Sequence, residues 1–227
     1  MDITLHSSGL DDLSPRQYRS PGVHGSTLID RLCLRYGHYQ KNKDGSPLSD
    51  RNRELGQAFE QVKCEQIIRA YPNEAFARNP EILCDGIYLT PDLVWTTQLS
   101  LFEFKWTWMS PARDPNDEKM WKYLAQGQSY LYGLRRVMEG TAVIRAACET
   151  EEEADWHTAG DDKITFEDAY TVLYLTVGFA NDFRPQSEQI PCWRIRFWPE
   201  ELAMNWAMML DEKRLLEEET ANMETTR

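Results

Sequence analysis

Three short apolar runs, at residues 82–89, 92–97 and 99–108, follow one another with only turn residues between them. Thr90-Pro91 separates the first two, and a tight turn near Gln98 separates the second from the third. Runs of this length, rich in β-branched and aromatic residues and bounded by Pro or polar clusters, predict strands. Helical patterns flank them. Upstream, residues 50–71 place Leu55, Phe59, Val62 and Ile67 or Ile68 on one stripe, and Pro72 stops the helix. Downstream, residues 119–139 carry Met120, Leu124, Leu131, Leu134 and Met138 at helical spacing, with Gly140 closing the helix. Strands crowded between two helices confine the chain to an α/β fold with a mixed central β-sheet flanked by helices.

The remaining segments extend that frame. Residues 1–25 are polar and rich in Ser, Pro and Gly, and predict an irregular arm. Residues 26–37 predict a short helix, with Ser26 as a possible N-cap and Gly37 as its end. Residues 171–179 read as a buried strand, residues 193–198 as an alternating one, and 199–219 as an amphipathic helix that frays into a charged tail. A length of 227 residues suits one sizeable domain with extensions. The expected division is an arm and short helix over 1–45, the main domain over 46–200, and a C-terminal helix and tail over 201–227.

Charge and cysteine usage narrow the function classes. Net charge is −12, and most of the acidity lies beyond residue 110. Residues 149–168 hold nine acidic residues against one lysine and read as an exposed connection. This excludes coating of a polyanion by the whole surface but leaves a local nucleic-acid groove open. No run approaches the ~20 apolar residues of a membrane span, and the first residues carry no signal-peptide pattern. A soluble, cytoplasmic protein without membrane contact is the expectation. The five cysteines (Cys33, Cys64, Cys84, Cys148, Cys192) show no metal-ligand spacing and read as buried free thiols.

The chemistry sits in the third strand. Glu103 and Lys105 point to one face of it, while Leu101, Phe102, Phe104 and Trp106 around them are apolar. A charged pair in such a run is costly unless an ion or a partner charge compensates it. If the second and third strands form a hairpin, Asp92, just after Pro91, reaches Glu103 across the ladder. Two carboxylates beside a lysine suit phosphodiester hydrolysis. Hard oxygen ligands hold Mg²⁺ or Mn²⁺, and the cation offsets charge in the transition state. An edge salt bridge between Glu103 and Lys105, with Asp92 as a turn residue, is the plainer alternative. Asp85 is a competing carboxylate, with a turn or strand-end place as its plainer reading.

The stretches 56–60 (GQAFE), 84–94 (CDGIYLTPDLV), 101–106 (LFEFKW) and 126–130 (QGQSY) resemble the PD-(D/E)xK nuclease superfamily. Within it they resemble the RecB-like branch, which includes phage-encoded and CRISPR-associated exonucleases. The likeness covers about residues 51–135, with a weaker extension over 24–34. It implies a restriction-endonuclease-like αβββαβ core and a metal-dependent deoxyribonuclease, with an exonuclease ahead of an endonuclease. By that resemblance Glu60, Asp92, Glu103 and the Phe104 carbonyl hold Mg²⁺ or Mn²⁺, and Lys105 is the catalytic lysine. Gln126 and Tyr130 match a Q-x-x-x-Y pair beside the site, which Gln128 and Tyr132 also satisfy. DNA is the implied partner, in phage or bacterial recombination, repair or defence. The cysteines do not match the iron–sulfur pattern of some members, so no cluster is expected.

Trp106, Trp108 and Trp121 suit either core packing or stacking on unpaired bases. Arg51, Arg53, Lys63, Arg69, Lys119 and Lys122 suit either solvated helix faces or phosphate contacts. A catalytically silent structural or interaction module, in a virion or DNA-processing assembly, is the alternative function. Net charge and the Met/Trp-rich C-terminal helix (Met204, Trp206, Met208, Met209) favour it, and protein partners or an oligomer are compatible with both readings.

Overall fold

A computed structural model describes residues 18–36, 50–96, 100–107, 120–148, 150–153, 155–157, 171–179 and 192–225. In chain order its elements are β1 (Val23–His24), α1 (Gly25–Arg35), α2 (Asp50–Ala70), β2 (Phe76–Arg78), β3 (Glu81–Cys84), β4 (Ile87–Leu89), β5 (Leu93–Trp95) and β6 (Ser100–Thr107). There follow α3 (Trp121–Met138), β7 (Val143–Arg145), β8 (Thr171–Phe179), β9 (Cys192–Phe197) and α4 (Pro199–Thr225).

The fold is mixed α/β, but its strands form two sheets where a single central one was expected. One has the order β1-β4-β3-β7 and the other β2-β5-β6-β8-β9. The cause lies in the first apolar run. Asp85 and Gly86 both adopt left-handed backbone, with φ 49° and 74°. Two such residues make the tight hairpin turn whose twist suits antiparallel strands. The run therefore folds back on itself as β3 and β4, with Cys84 opposite Ile87. After Thr90-Pro91 the chain leaves that sheet, and β5 enters the other.

In the five-stranded sheet, β5 and β6 form the expected hairpin, with Leu93 opposite Phe102. The β8 strand lies parallel to β6 over its whole length, from Ser100↔Val172 to Thr107↔Phe179. Parallel neighbours need a crossover connection, and α3 lies within it.

Helix α3 packs on β6 and β8 of one sheet and on β3, β4 and β7 of the other. Two glycines allow this. A Cβ on Gly127 would stand 2.4 Å from a Leu173 methyl of β8, and one on Gly133 would stand 2.6 Å from a Leu89 methyl of β4. Helices α1 and α4 pack against α3 and against each other. Asn205 of α4 donates to the Ala125 carbonyl (3.1 Å) and to Ser129 Oγ (2.9 Å) of α3. Leu202, Trp206 and Met209 join Leu28, Ile29 and Leu32 of α1 in the same core.

Several expectations need correction. The α2 stripe holds at Phe59 and Ile67, which face the sheet together with Cys64, but is rotated away from Leu55 and Val62, which are exposed, as is Ile68. That rotation turns Glu60 inward. The helix α4 continues to Thr225 rather than fraying, and Trp206 and Met209 are core residues while Met204 is exposed. Of the expected arm, residues 18–25 are packed rather than irregular, since Ser20 is buried and donates to Glu81 Oε2 (2.7 Å); residues 1–17 lie outside the described residues. Helix α1 begins at Gly25, with His24 in the N-cap place proposed for Ser26. All five cysteines are free, but Cys192 is exposed and Cys148 half-buried. Strands β1, β2 and β7 had no counterpart in the sequence reading. No helix of the described residues is long and apolar enough to cross a membrane.

The close approach at Gly127 makes a direct prediction. Gly127→Val inserts a branched side chain where Leu173 already sits. Overpacking of this kind costs about 1–3 kcal/mol, and Tm measured calorimetrically should fall by roughly 4–10 °C. A Tm within one degree of the parent would refute the tight helix–sheet contact.

Candidate active site

The site lies where the β5–β6 ladder stops. Extending the register from Leu93↔Phe102 puts Asp92 opposite Glu103 and Pro91 opposite Phe104. Proline has no N–H and cannot continue a ladder. The Phe104 N–H instead donates to Asp92 Oδ2 at 2.7 Å. The Pro-Asp pair thus has a local role: the proline ends pairing, and the aspartate takes up the N–H left beside it.

Glu103 is fully buried on the face covered by α3. Its Oε1 accepts from Lys105 Nζ, two residues along the same face of β6. Its Oε2 has no hydrogen-bond partner among the described residues. Burial and the neighbouring Asp92 charge raise the Glu103 carboxyl to about 8, against the pull of Lys105. Asp92 is raised by burial and held back by Lys105 and the Phe104 N–H. For Lys105, burial favours the neutral amine. The Glu103 and Asp92 carboxylates outweigh it and raise its pKa, so the side chain stays cationic.

Glu60 arrives from the other side. Helix α2 lies over β6, with the Phe59 and Trp106 rings 5.4 Å apart. Glu60 senses Asp92 and Lys105, and burial with the Asp92 charge raises its carboxyl to about 7. A hydrogen bond from Asn79 and the charge of Arg78 oppose the shift. Asn79 adopts a left-handed conformation, φ 44°, and its backbone N–H donates to the Asp92 carbonyl at 3.0 Å. One residue therefore ties both carboxylate-bearing segments. Behind them, burial followed by the Asp92 and Glu60 charges pushes the Cys64 thiol up to about 12. Arg78 and Asn79 carried no expectation from the sequence, and Cys64 is the buried free thiol expected there, though with no place at a site. The Asn79-Pro80 dipeptide was a turn signal that had placed no function.

On α3, Gln126 Nε2 donates to the Tyr130 hydroxyl at 2.6 Å. Tyr130 is buried within electrostatic reach of Glu103 and Lys105. Tyr132 points elsewhere and stacks on Trp206, with ring centroids 4.8 Å apart. The geometry thus brings Gln126 and Tyr130 to the site rather than Gln128 and Tyr132.

Other candidates lie apart. Asp85 is exposed at the β3–β4 turn and accepts from Trp206 Nε1 at 2.9 Å. Lys63 donates to Gln66, Arg69 pairs with Glu65, and Lys122 pairs with Asp30. Trp108, Lys119 and the side chains of Arg51 and Arg53 lie outside the described residues, as does most of the acidic segment.

Glu60, Asp92 and Glu103 thus share one electrostatic locus. Among the described residues, however, no three His, Cys, Asp or Glu side chains form a group that could hold a metal ion. Asp92 Oδ2 is committed to Phe104, and Glu103 Oε1 to Lys105. The hard-oxygen chemistry of the donors still fits Mg²⁺ or Mn²⁺, and the unpartnered Glu103 Oε2 is an oxygen available to a cation.

No protein-family model matches the chain, and no curated protein or solved structure gives a significant match to it.

The raised carboxyls fix a sign for pH dependence. Unfolded, Glu60 and Glu103 titrate near 4.5; folded, they titrate at about 7 and about 8. Each stabilises the fold below the unfolded value, and that contribution is lost as pH rises through the folded one. Asp92, Lys105, Arg78 and Tyr130 surround them and share the effect. In ion-free buffer, urea-unfolding stability should fall by on the order of a few kcal/mol between pH 5 and 9. Glu103→Gln should flatten that slope, and an unchanged slope in the variant would sink the assignment.

Proposed function

We propose that this protein is a metal-dependent deoxyribonuclease of the PD-(D/E)xK, RecB-like type, acting on phosphodiesters, with an exonuclease the favoured form. The observation that carries the reading is the buried Glu103, paired with the partly exposed Lys105 and facing Asp92 at the end of the β5–β6 ladder, with Glu60 approaching from α2. The αβββαβ core of that superfamily is part of the proposal. So are DNA as substrate and a phage or bacterial setting in the cytoplasm, the host's if phage-encoded.

Glu60, Asp92, Glu103 and the Phe104 carbonyl would hold the ion. Bound there, Mg²⁺ or Mn²⁺ supplies a polarised phosphate and a more acidic water. Lys105 stays protonated, so it acts as a cation. It orients the attacking water through an N–H and offsets negative charge that develops on the phosphate oxygens. Tyr130, held by Gln126, borders the Glu103–Lys105 pair and limits its movement. Products carry 5′-phosphate and 3′-hydroxyl ends.

A second reading has its own support. The Asp92–Phe104 and Glu103–Lys105 pairings satisfy much of the site internally, which favours a silent module of the same architecture. It would act through protein partners or self-association.

Incubation with end-labelled linear and circular DNA separates the two. The nuclease degrades linear DNA with Mn²⁺ or Mg²⁺, EDTA stops it, and Lys105→Ala slows it at least about 10²-fold. Survival of the circle identifies an exonuclease. Failure of folded protein to cleave with either ion supports the silent module. Independently of turnover, ion at about 100-fold its Kd adds about 2.7 kcal/mol. That raises Tm by roughly 5–10 °C, and Glu103→Ala should abolish the rise.

A further inference from the structure

Arg78 ends β2, the edge strand of the five-stranded sheet, opposite Leu93 and so one residue from Asp92 across the ladder. Its side chain lies on the α2 face, the face on which Phe76 packs against Trp95 and Phe102. It is exposed and within electrostatic reach of Glu60 and Cys64. Yet it forms no hydrogen bond or ion pair among the described residues. Lys63, Arg69 and Lys122 each have a partner, and Arg31 and Arg35 both pair with Glu212. Its backbone is held in place, because the next residue, Asn79, anchors the turn to the Asp92 carbonyl.

An exposed, uncommitted guanidinium within electrostatic reach of Glu60, and one residue across the ladder from Asp92, answers a physical problem. A polyanion approaching a chain of net charge −12 needs a local cation, and the cationic Lys105 is already engaged with Glu103. We propose that Arg78 binds a backbone phosphate of the nucleic-acid strand, next to the phosphate that is cleaved. This rests on the nuclease reading above and deepens it. A guanidinium fits two phosphate oxygens at once, so the contact sets the register of the strand over Glu60, Asp92 and Glu103. It is a strand-positioning contact rather than part of the bond-breaking step.

The test uses the full chain, a fluorescein-labelled DNA oligonucleotide and Ca²⁺ in place of Mg²⁺, with anisotropy read across a salt series. Arg78→Ala should weaken binding about tenfold and reduce the slope of log affinity against log salt by about 0.7–0.9, one phosphate contact. Arg78→Lys should restore part of both, keeping the charge but not the two-point fit. Oligonucleotides with a single neutral methylphosphonate linkage, moved one position at a time, locate the contact. One linkage should weaken parental binding as much as Arg78→Ala does, and the variant should be insensitive to that same linkage. Equal affinity and salt slope in parent and variant overturn the proposal while leaving the nuclease reading intact, provided the parent cleaves. Absence of both binding and cleavage in the parent overturns the two together.

Discussion

Helix α3 is the element on which the remaining architecture depends. It covers two sheets at once, and only the missing side chains of Gly127 and Gly133 let its backbone approach Leu173 on one and Leu89 on the other. Its opposite side takes α1 and α4, so most of the helix surface is enclosed. Buried hydrogen bonds then matter as much as apolar area. Asn205 ties α4 to a carbonyl and a hydroxyl of α3 that also bond each other, Ser129 Oγ donating to the Ala125 carbonyl. A second polar anchor pins the four-stranded sheet. Arg145 pairs with Glu81 at 2.6 Å, both buried and directly opposite in the β3–β7 ladder. The Arg145 guanidinium also lies 5.2 Å and 5.1 Å from the Tyr18 and Trp156 rings. Cation–π contacts on both rings join the N-terminal segment and the 150s to that sheet.

The same helix encloses the charged site. Burying Glu103 beneath α3 carries a desolvation cost that its pairing with Lys105 offsets only in part, since one carboxylate oxygen stays without a partner. A core built for stability alone would place an apolar residue there. Around this pair the fold buries two more carboxylates: burial raises all three carboxyl pKa values, and the Asp92 charge adds to the rise at Glu60 and Glu103. Perturbed titratable groups gathered in one place mark a candidate functional locus. Structural ion-pair networks share parts of that pattern. Here Glu60, Asp92 and Glu103 sense one another, and Arg78 is exposed beside Glu60.

Legibility from sequence followed the range of the interactions. The β5–β6 hairpin was readable because alternation and the Pro91 break are local, and so was the shared face of Glu103 and Lys105. Strand β8 was readable as an apolar run. The split of residues 82–89 was carried by Asp85-Gly86, a turn signal that the continuous apolar pattern masked. Short strands such as β2 and β7 have too few residues for any period to register. Helix α2 was found with its ends nearly right, but its buried face was right only at Phe59 and Ile67 and not at Leu55 and Val62. Its apolar residues surround the helix, so periodicity alone did not choose between the Val62 side and the Cys64 side.

By itself, the sequence determined the helices, the central hairpin and the placing of a carboxylate and a lysine on one strand face, since each depends on spacing along a single element. Only the tertiary structure decided that there are two sheets, that α2 turns Glu60 toward Asp92, and that Tyr130 rather than Tyr132 borders the pair. It also brought Asn79 and Arg78 within reach of Glu60. Those outcomes depend on which surfaces meet across the fold, and a period read along one segment carries no record of what lies opposite it.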